Sequence, residues 1–179
     1  MRSDLSLYSV GHSNREIDAF LAVLGDARIE CVVDVRTFPR SRTNPQFNVE
    51  VLPDALAEHG IAYEYLPDLG GRRRKSRDIP PEVNGFWKVS SFHNYADYAM
   101  SDAFQASLAE LLRLGEERRC AMMCSEVLWW RCHRRIIADY AMAAGRKVWH
   151  LFDVGHVEEA RLTPGAVIER GLVAYPASP

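Results

Sequence analysis

One stretch constrains the fold more than any other: Ile29-Glu30-Cys31-Val32-Val33-Asp34-Val35. It is β-branched and almost wholly apolar, so an extended chain here has no face to offer water. Such a strand must be covered on both sides, which places it inside a parallel sheet rather than a half-wet antiparallel one. Residues 5–10, 61–66, 120–124 and 147–152 read as four further strands. Between these runs the apolar spacing changes to that of helices. Ile17, Phe20, Leu21 and Leu24 recur at i, i+3, i+4 and i+7 before Gly25, and Ser13-Asn14-Arg15-Glu16 has the form of a capping box. A short helix carries Leu52, Ala55 and Leu56, with Pro53 in its first turn. An aromatic helix is predicted over 92–100. A longer one follows from Ser101, with Phe104, Leu108, Leu111 and Leu112 inward, ending before Gly115. The last spans 131–144, where Cys132, Ile136 and Tyr140 share a stripe.

Strands alternating with helices predict a three-layer α/β/α sandwich with a mainly parallel five-stranded sheet, Rossmann-like or flavodoxin-like, with right-handed crossovers. Residues 1–152 form a single α/β domain in this reading. Residues 153–179 carry only a modest helical pattern and form a C-terminal tail packed on it. Composition excludes other classes. With 47% hydrophobic and 26% charged residues over 179 positions, the chain is neither disordered nor collagen-like and can bury a core. No apolar run approaches the ~20 residues of a membrane span, so no membrane partner is expected. The opening Met1-Arg2-Ser3-Asp4-Leu5 lacks the apolar stretch of a secretory leader. A cytoplasmic home is therefore the expectation, with Cys31, Cys120, Cys124 and Cys132 as thiols.

The net charge of -2 favours no partner class, but its distribution does. Half of the 22 Lys and Arg fall in three short loop-like stretches: Arg36, Arg40 and Arg42; Arg72 to Lys75 with Arg77; and Arg131, Arg134 and Arg135. Cations gathered this way predict a positive face or cleft and an anionic ligand. In doubly wound sheets, ligands sit beyond the carboxyl ends of the strands, at the switch in strand order. Gly11-His12-Ser13-Asn14, Asp34-Val35-Arg36 and Cys124-Ser125-Glu126 all leave strands there.

The chemistry-bearing residues follow from that placement. Gly11, His12, Ser13 and Asn14 lie between a strand and a helix amino terminus, where free amides suit an anion and Gly11 allows close approach; the competing reading is a capped helix with His12 satisfied in its loop. Arg36 and Arg40 are suited to bidentate phosphate contacts, Asn44 and Gln46 to a base edge, and Phe47, or alternatively Trp87, to stacking on a base. Gly71 and Arg72 begin a flexible basic arm. From Cys124 to Arg135 three mechanisms remain open. Cys124 is a nucleophile activated by a helix terminus and nearby arginine; or Cys124, Cys132 and His133 hold a metal; or Glu126 and His133 act as acid and base while Arg131 and Arg134 hold a phosphate. Arg131 follows Cys124 by seven residues, one too many for a thiol phosphatase loop, and Cys124 and Cys132 are eight apart, too far for a zinc pair. Cys132 shares its stripe with core residues and reads as core. No metal and no cofactor are expected.

These motifs resemble the domain-of-unknown-function 488 family of bacterial proteins. The resemblance rests on Gly11-His12-Ser13-Asn14, Val33 to Ser41, Asn44 to Asn48, Leu69-Gly70-Gly71-Arg72, Met123 to Glu126, Cys132 to Asp139 and Leu162-Thr163-Pro164-Gly165. It implies a compact α/β cytoplasmic protein, assigns no reaction, and marks His12, Arg36, Glu126 and His133 as site residues. A second likeness, through Val33-Asp34-Val35-Arg36 and a cysteine at a later strand end, is to rhodanese-type sulfurtransferases. The leading expectation is an enzyme or enzyme-like binder acting on a phosphate-bearing ligand, a nucleotide or nucleic acid, in a basic cleft at the carboxyl edge of the sheet. Catalytic candidates are Glu126, His133 and Cys124. The alternatives are thiol-based sulfur or redox transfer centred on Cys124, and a non-enzymatic nucleic-acid interaction module. The oligomeric state is not legible.

Overall fold

A computed structural model describes residues 5–178. Five strands run parallel: β1 (Leu7–Gly11), β2 (Cys31–Asp34), β3 (Ala62–Tyr65), β4 (Cys120–Cys124) and β5 (Val148–Asp153). A sixth, β6 (His156–Glu159), pairs antiparallel with β5, giving the order β3-β2-β4-β1-β5-β6. Helices α1 (Ile17–Asp26) and α2 (Leu52–Ala57) cover one face; α3 (Ser90–Tyr98), α4 (Asp102–Glu117) and α5 (Arg134–Ala143) cover the other. This is the three-layer α/β/α arrangement that the alternation of periods predicts.

The central strands are buried at every position, as the apolar run of β2 requires. Because successive side chains point to opposite faces, Val33, Cys120 and Met122 pack under Phe104, Leu111 and Ile137, while Val10, Val32 and Met123 pack under Phe20, Leu24 and Leu52. Each such side chain contributes roughly 1.5–3 kcal/mol by leaving water, so the two helix layers hold the sheet between them. The register sets Gly11 beside Cys124 and Asp34 beside Met123. The chain leaves β1 through α1 toward β2, and leaves β4 through α5 toward β5 on the opposite side. β1 and β4 are neighbours, so their carboxyl ends flank the switch point.

Four local expectations are corrected. The capping box does not form: Ser13 has φ 50°, its hydroxyl points to Asn14 at 3.4 Å, and α1 starts only at Ile17 with no side-chain cap. The reason is tertiary, since the amides of His12 and Ser13 are drawn to the carbonyls of Cys124 and Ser125, both at 2.9 Å. Gly115 lies inside α4, where a Cβ would sit 2.7 Å from Leu7 Cδ2. The helix predicted over 131–144 starts late, since Arg131 closes a 3-10 turn (Trp129–Arg131) and α5 begins at Arg134. The tail holds β6 and a hairpin of β7 (Val167–Glu169) and β8 (Leu172–Ala174) where a helical pattern was expected. Arg170 and Gly171, at φ 51° and 79°, make the two-residue turn whose twist suits a hairpin. Asp139 on α5 anchors the tail, accepting from Thr163 N at 3.0 Å and Tyr175 Oη at 2.8 Å. Among the described residues no helix is long and apolar enough to cross a membrane.

Candidate functional site

A cavity of about 630 Å³ opens beyond the carboxyl ends of β1, β2 and β4. Its floor is His12, Arg36, Cys124, Cys132 and His133, and its wall includes Ser125, Glu126 and Arg131 from the β4–α5 connection. Residues of the β2–α2 loop, Gly71, Arg72 and one side of α3 close it. Four arginines and one acid, Glu126, line the space.

On one side a relay of fixed groups orients His12. Asp34, fully buried, grips Arg36 through two hydrogen bonds, Nε to Oδ1 at 2.8 Å and Nη2 to Oδ2 at 2.7 Å. Tyr63 Oη donates to the same carboxylate at 2.6 Å, and Arg36 Nη2 also meets the Phe47 carbonyl at 2.8 Å. Arg36 Nη1 lies 3.3 Å from His12 Nε2, while His12 Nδ1 lies 2.7 Å from the Ser13 carbonyl. A guanidinium can only donate and a carbonyl can only accept, so Nδ1 carries the proton and Nε2 the lone pair. Burial, with the Arg36 charge assisting, lowers His12 to about 4 and keeps the imidazole neutral at pH 7.

On the other side lie the thiols. Cys124 Sγ is 2.8 Å from Cys132 Sγ and receives Arg134 Nε at 3.0 Å. Cys132 Sγ receives the Arg134 amide at 3.4 Å and lies 3.4 Å from His133 Nδ1. His133 Nε2 donates to the Val35 carbonyl at 2.8 Å, which leaves Nδ1 of the neutral ring an acceptor facing Cys132. Arg134 is 1% exposed and also meets Ser9 Oγ at 2.5 Å and the carbonyl of Glu126. Burial raises Cys124 well above the ordinary thiol range. For Cys132 burial also pushes upward, but the Cys124 hydrogen bond and the Arg134 charge outweigh it and lower the thiol to about 6.

The residues singled out in the sequence therefore divide. His12, Arg36, Arg40, Asn44, Gly71, Arg72, Cys124, Glu126, Arg131 and His133 all line the one cavity. Others do different work. The amides of His12 and Ser13 are already spent on the carbonyls of Cys124 and Ser125 and are not open to a ligand, and neither Ser13 nor Asn14 lines the space. Gly11 is needed because the chain, and not a ligand, comes close: a Cβ there would lie 2.0 Å from the Glu126 carbonyl oxygen. Gly71 likewise yields to His133, whose Nδ1 would be 2.6 Å from a Cβ. Gln46 is turned to the Arg15 carbonyl at 2.7 Å. Phe47 is wholly buried, stacked under His12 at 4.2 Å, and cannot receive a base. Trp87 is packed between Phe92 and Tyr175 with Arg135 over its ring. Arg134 stands behind the sulfurs and does not line the cavity. The sequence weighs Cys132 as a metal ligand and then reads it as core; the turn that folds it back on Cys124 leaves no periodic signal. The sequence reading missed Tyr63 and Tyr95, which lie on a strand and a helix remote in sequence.

Among the described residues no group of three His, Cys, Asp or Glu side chains is placed to hold a metal ion. No solved structure matches the chain. Among curated proteins, Protein Shroom3 of Xenopus laevis is 33% identical over 60 residues, covering 34% of this chain and 3% of that protein. The chain thus spans only a small fraction of that relative's length. The family described as "Domain of unknown function DUF488" matches residues 16–141, from the start of α1 to within α5. That span includes every strand end bordering the cavity except β1, and the chain belongs to the DUF488 family.

Proposed function

We propose that the cavity binds a phosphate-bearing ligand, a nucleotide or a short stretch of nucleic acid, and that the protein acts on it as an enzyme or enzyme-like binder. One observation carries this reading: Arg40, Arg72 and Arg131, from three separate connections, border a single cavity that contains one carboxylate. Arg72 and Arg131 have no acid partner among the described residues, and Arg72 lies over the Phe38 ring at 5.3 Å. Arg40 is paired with Glu50 at the surface, an exposed ion pair that a ligand anion can displace at little cost. Arg36 contributes less charge than its position promises, because Asp34 neutralises it; its role is to aim His12. Glu126, with one oxygen on the Leu128 amide at 2.9 Å, and His133 supply the groups that accept and donate protons.

Titration with a single-stranded oligonucleotide and with inorganic pyrophosphate across salt concentrations tests the proposal. Binding that weakens with salt, with a log–log slope reduced by about 1 in Arg72→Ala, supports it. Absence of binding of either probe at low salt removes it. A second reading, thiol-based sulfur or redox transfer, is favoured by a different observation, the two sulfurs 2.8 Å apart on the cavity floor.

A further inference from the structure

Cys124 and Cys132 reach the cavity from different elements. Cys124 ends β4, Cys132 stands two residues before α5, and the 3-10 turn at Trp129–Arg131 folds the connection back between them. The two sulfurs are not equivalent. Cys124 borders the cavity too, but is held by Arg134 Nε at 3.0 Å and lies 3.7 Å from the Glu126 carbonyl. Cys132 is adjacent to His133 and receives a backbone amide. Arg134 touches both sulfurs, one through its side chain and one through its amide, and so faces negative charge on either.

We propose that Cys132 and Cys124 form a dithiol site that reduces small anionic disulfides, Cys132 being the attacking sulfur and Cys124 the resolving one. The proposal rests on the thiol reading above and takes its substrate charge from the arginines at the cavity mouth. In the first step the Cys132 thiolate forms a bond to one sulfur of the substrate, the substrate S–S bond breaks, and the far half leaves with the electron pair. That departing thiolate takes the proton held on Cys124. The Cys124 thiolate then bonds to Cys132 Sγ, the mixed disulfide breaks, and the second half leaves as a thiolate. Two electrons pass from the protein to the substrate, and a Cys124–Cys132 disulfide remains. A low-molecular-weight dithiol recharges it by the reverse exchange. The low pKa of Cys132 favours its role as the attacking group at neutral pH.

The reduced full-length protein is mixed with dithiobis-nitrobenzoate, whose halves each carry a carboxylate, and with neutral dithiodipyridine. The native chain should release two equivalents of nitrothiobenzoate in a fast phase, lose two hydrogens in mass, and yield a Cys124–Cys132 linked peptide. Cys124→Ser should stop after one equivalent, with the adduct on Cys132; Cys132→Ser should lack the fast phase. The anionic probe should react about tenfold faster than the neutral one after correction for their reactivity with free thiol, and salt should narrow the gap. Cys132→Ala with a thermal melt checks folding, and the native peptide map depends on no variant. The proposal is overturned if both sulfurs stay unmodified until the chain unfolds, or if Cys132→Ser still releases two fast equivalents. Oligonucleotide binding by Cys132→Ser separates the readings: binding with inert native thiols leaves the anion site and ends the dithiol, whereas reactive thiols without binding do the reverse.

Discussion

The molecule holds two cysteine pairs on the same face of one sheet, and they differ in their access to the cavity. Cys31 and Cys120 are register partners on β2 and β4, each fully buried, in a layer sealed by the helices above. Cys124 and Cys132 lie at the end of β4, where the sheet stops and the cavity begins. The hydrogen bond to Cys31, together with burial, drives the Cys120 thiol far above its usual range. Within each pair one thiol is raised and the other lowered: the hydrogen bond with Cys120 lowers Cys31, as the one with Cys124 lowers Cys132, where the Arg134 charge adds to it. Both pairs have a neighbouring thiol and a nearby arginine, and only the pair at the strand end borders the cavity, so reactivity in this fold is set by access.

The largest expected effect comes from removing the guanidinium that backs the strand-end pair. Arg134→Leu leaves the carbonyl of Glu126 and the Ser9 hydroxyl without their donor, so unfolding by denaturant should show a loss of about 3–5 kcal/mol. A loss below about 1 kcal/mol would show that the arginine is not the post on which the site stands. Next, alkylation of the native chain followed by peptide mapping should label Cys132 at least about a hundredfold faster than Cys120. The Cys132 rate should climb through about pH 6 and level off above it, as the thiolate fraction saturates. Equal rates for the two pairs would erase the contrast.

Smaller effects come from two buried neutral histidines, His12 on the cavity floor and His150 on β5. Burial lowers His12 to about 4 and His150 to about 3, so each stays uncharged in the folded chain after the unfolded chain has begun to take up protons near pH 6.5. Their contribution is complete above about pH 6.5 and is lost as the pH falls toward 4, and melting temperature followed against pH should decline over that window. His12→Gln should flatten part of the decline; an unchanged profile counts against the buried neutral ring. The smallest change is Tyr63→Phe, which removes the 2.6 Å hydrogen bond to Asp34 and should cost about 1–2 kcal/mol in denaturant, with cysteine labelling untouched. If labelling of Cys132 also shifts, the two sides of the cavity are coupled.

Much of this was legible in the chain. Val32, Val33 and Val35 announce a doubly covered strand because burial on two faces leaves a local mark, and Asp34 and Arg36 stand out as charges at its end. Ser101, whose hydroxyl accepts from the Phe104 amide, is a cap readable from its neighbours alone. The capping box at Ser13 fails for a reason outside that segment, since β4 claims the adjacent amides. Phe47 looks exposed in a polar loop, yet the loop folds it under His12. Cys132 looks like core from its stripe and is core on one side only.

The periodicity of apolar residues determined which segments became strands and helices, that the sheet had to be parallel and doubly covered, and that its polar strand ends would fall on one edge. Those are properties of short windows, and burial writes them locally. Which charges cancel, which sulfurs meet and which ring is sealed from solvent were decided only when β1, β2, β4 and α5 came together. Pairings such as Arg36 with His12 or Cys124 with Arg134 depend on distances across the assembled fold, and separation along the chain carries no record of them.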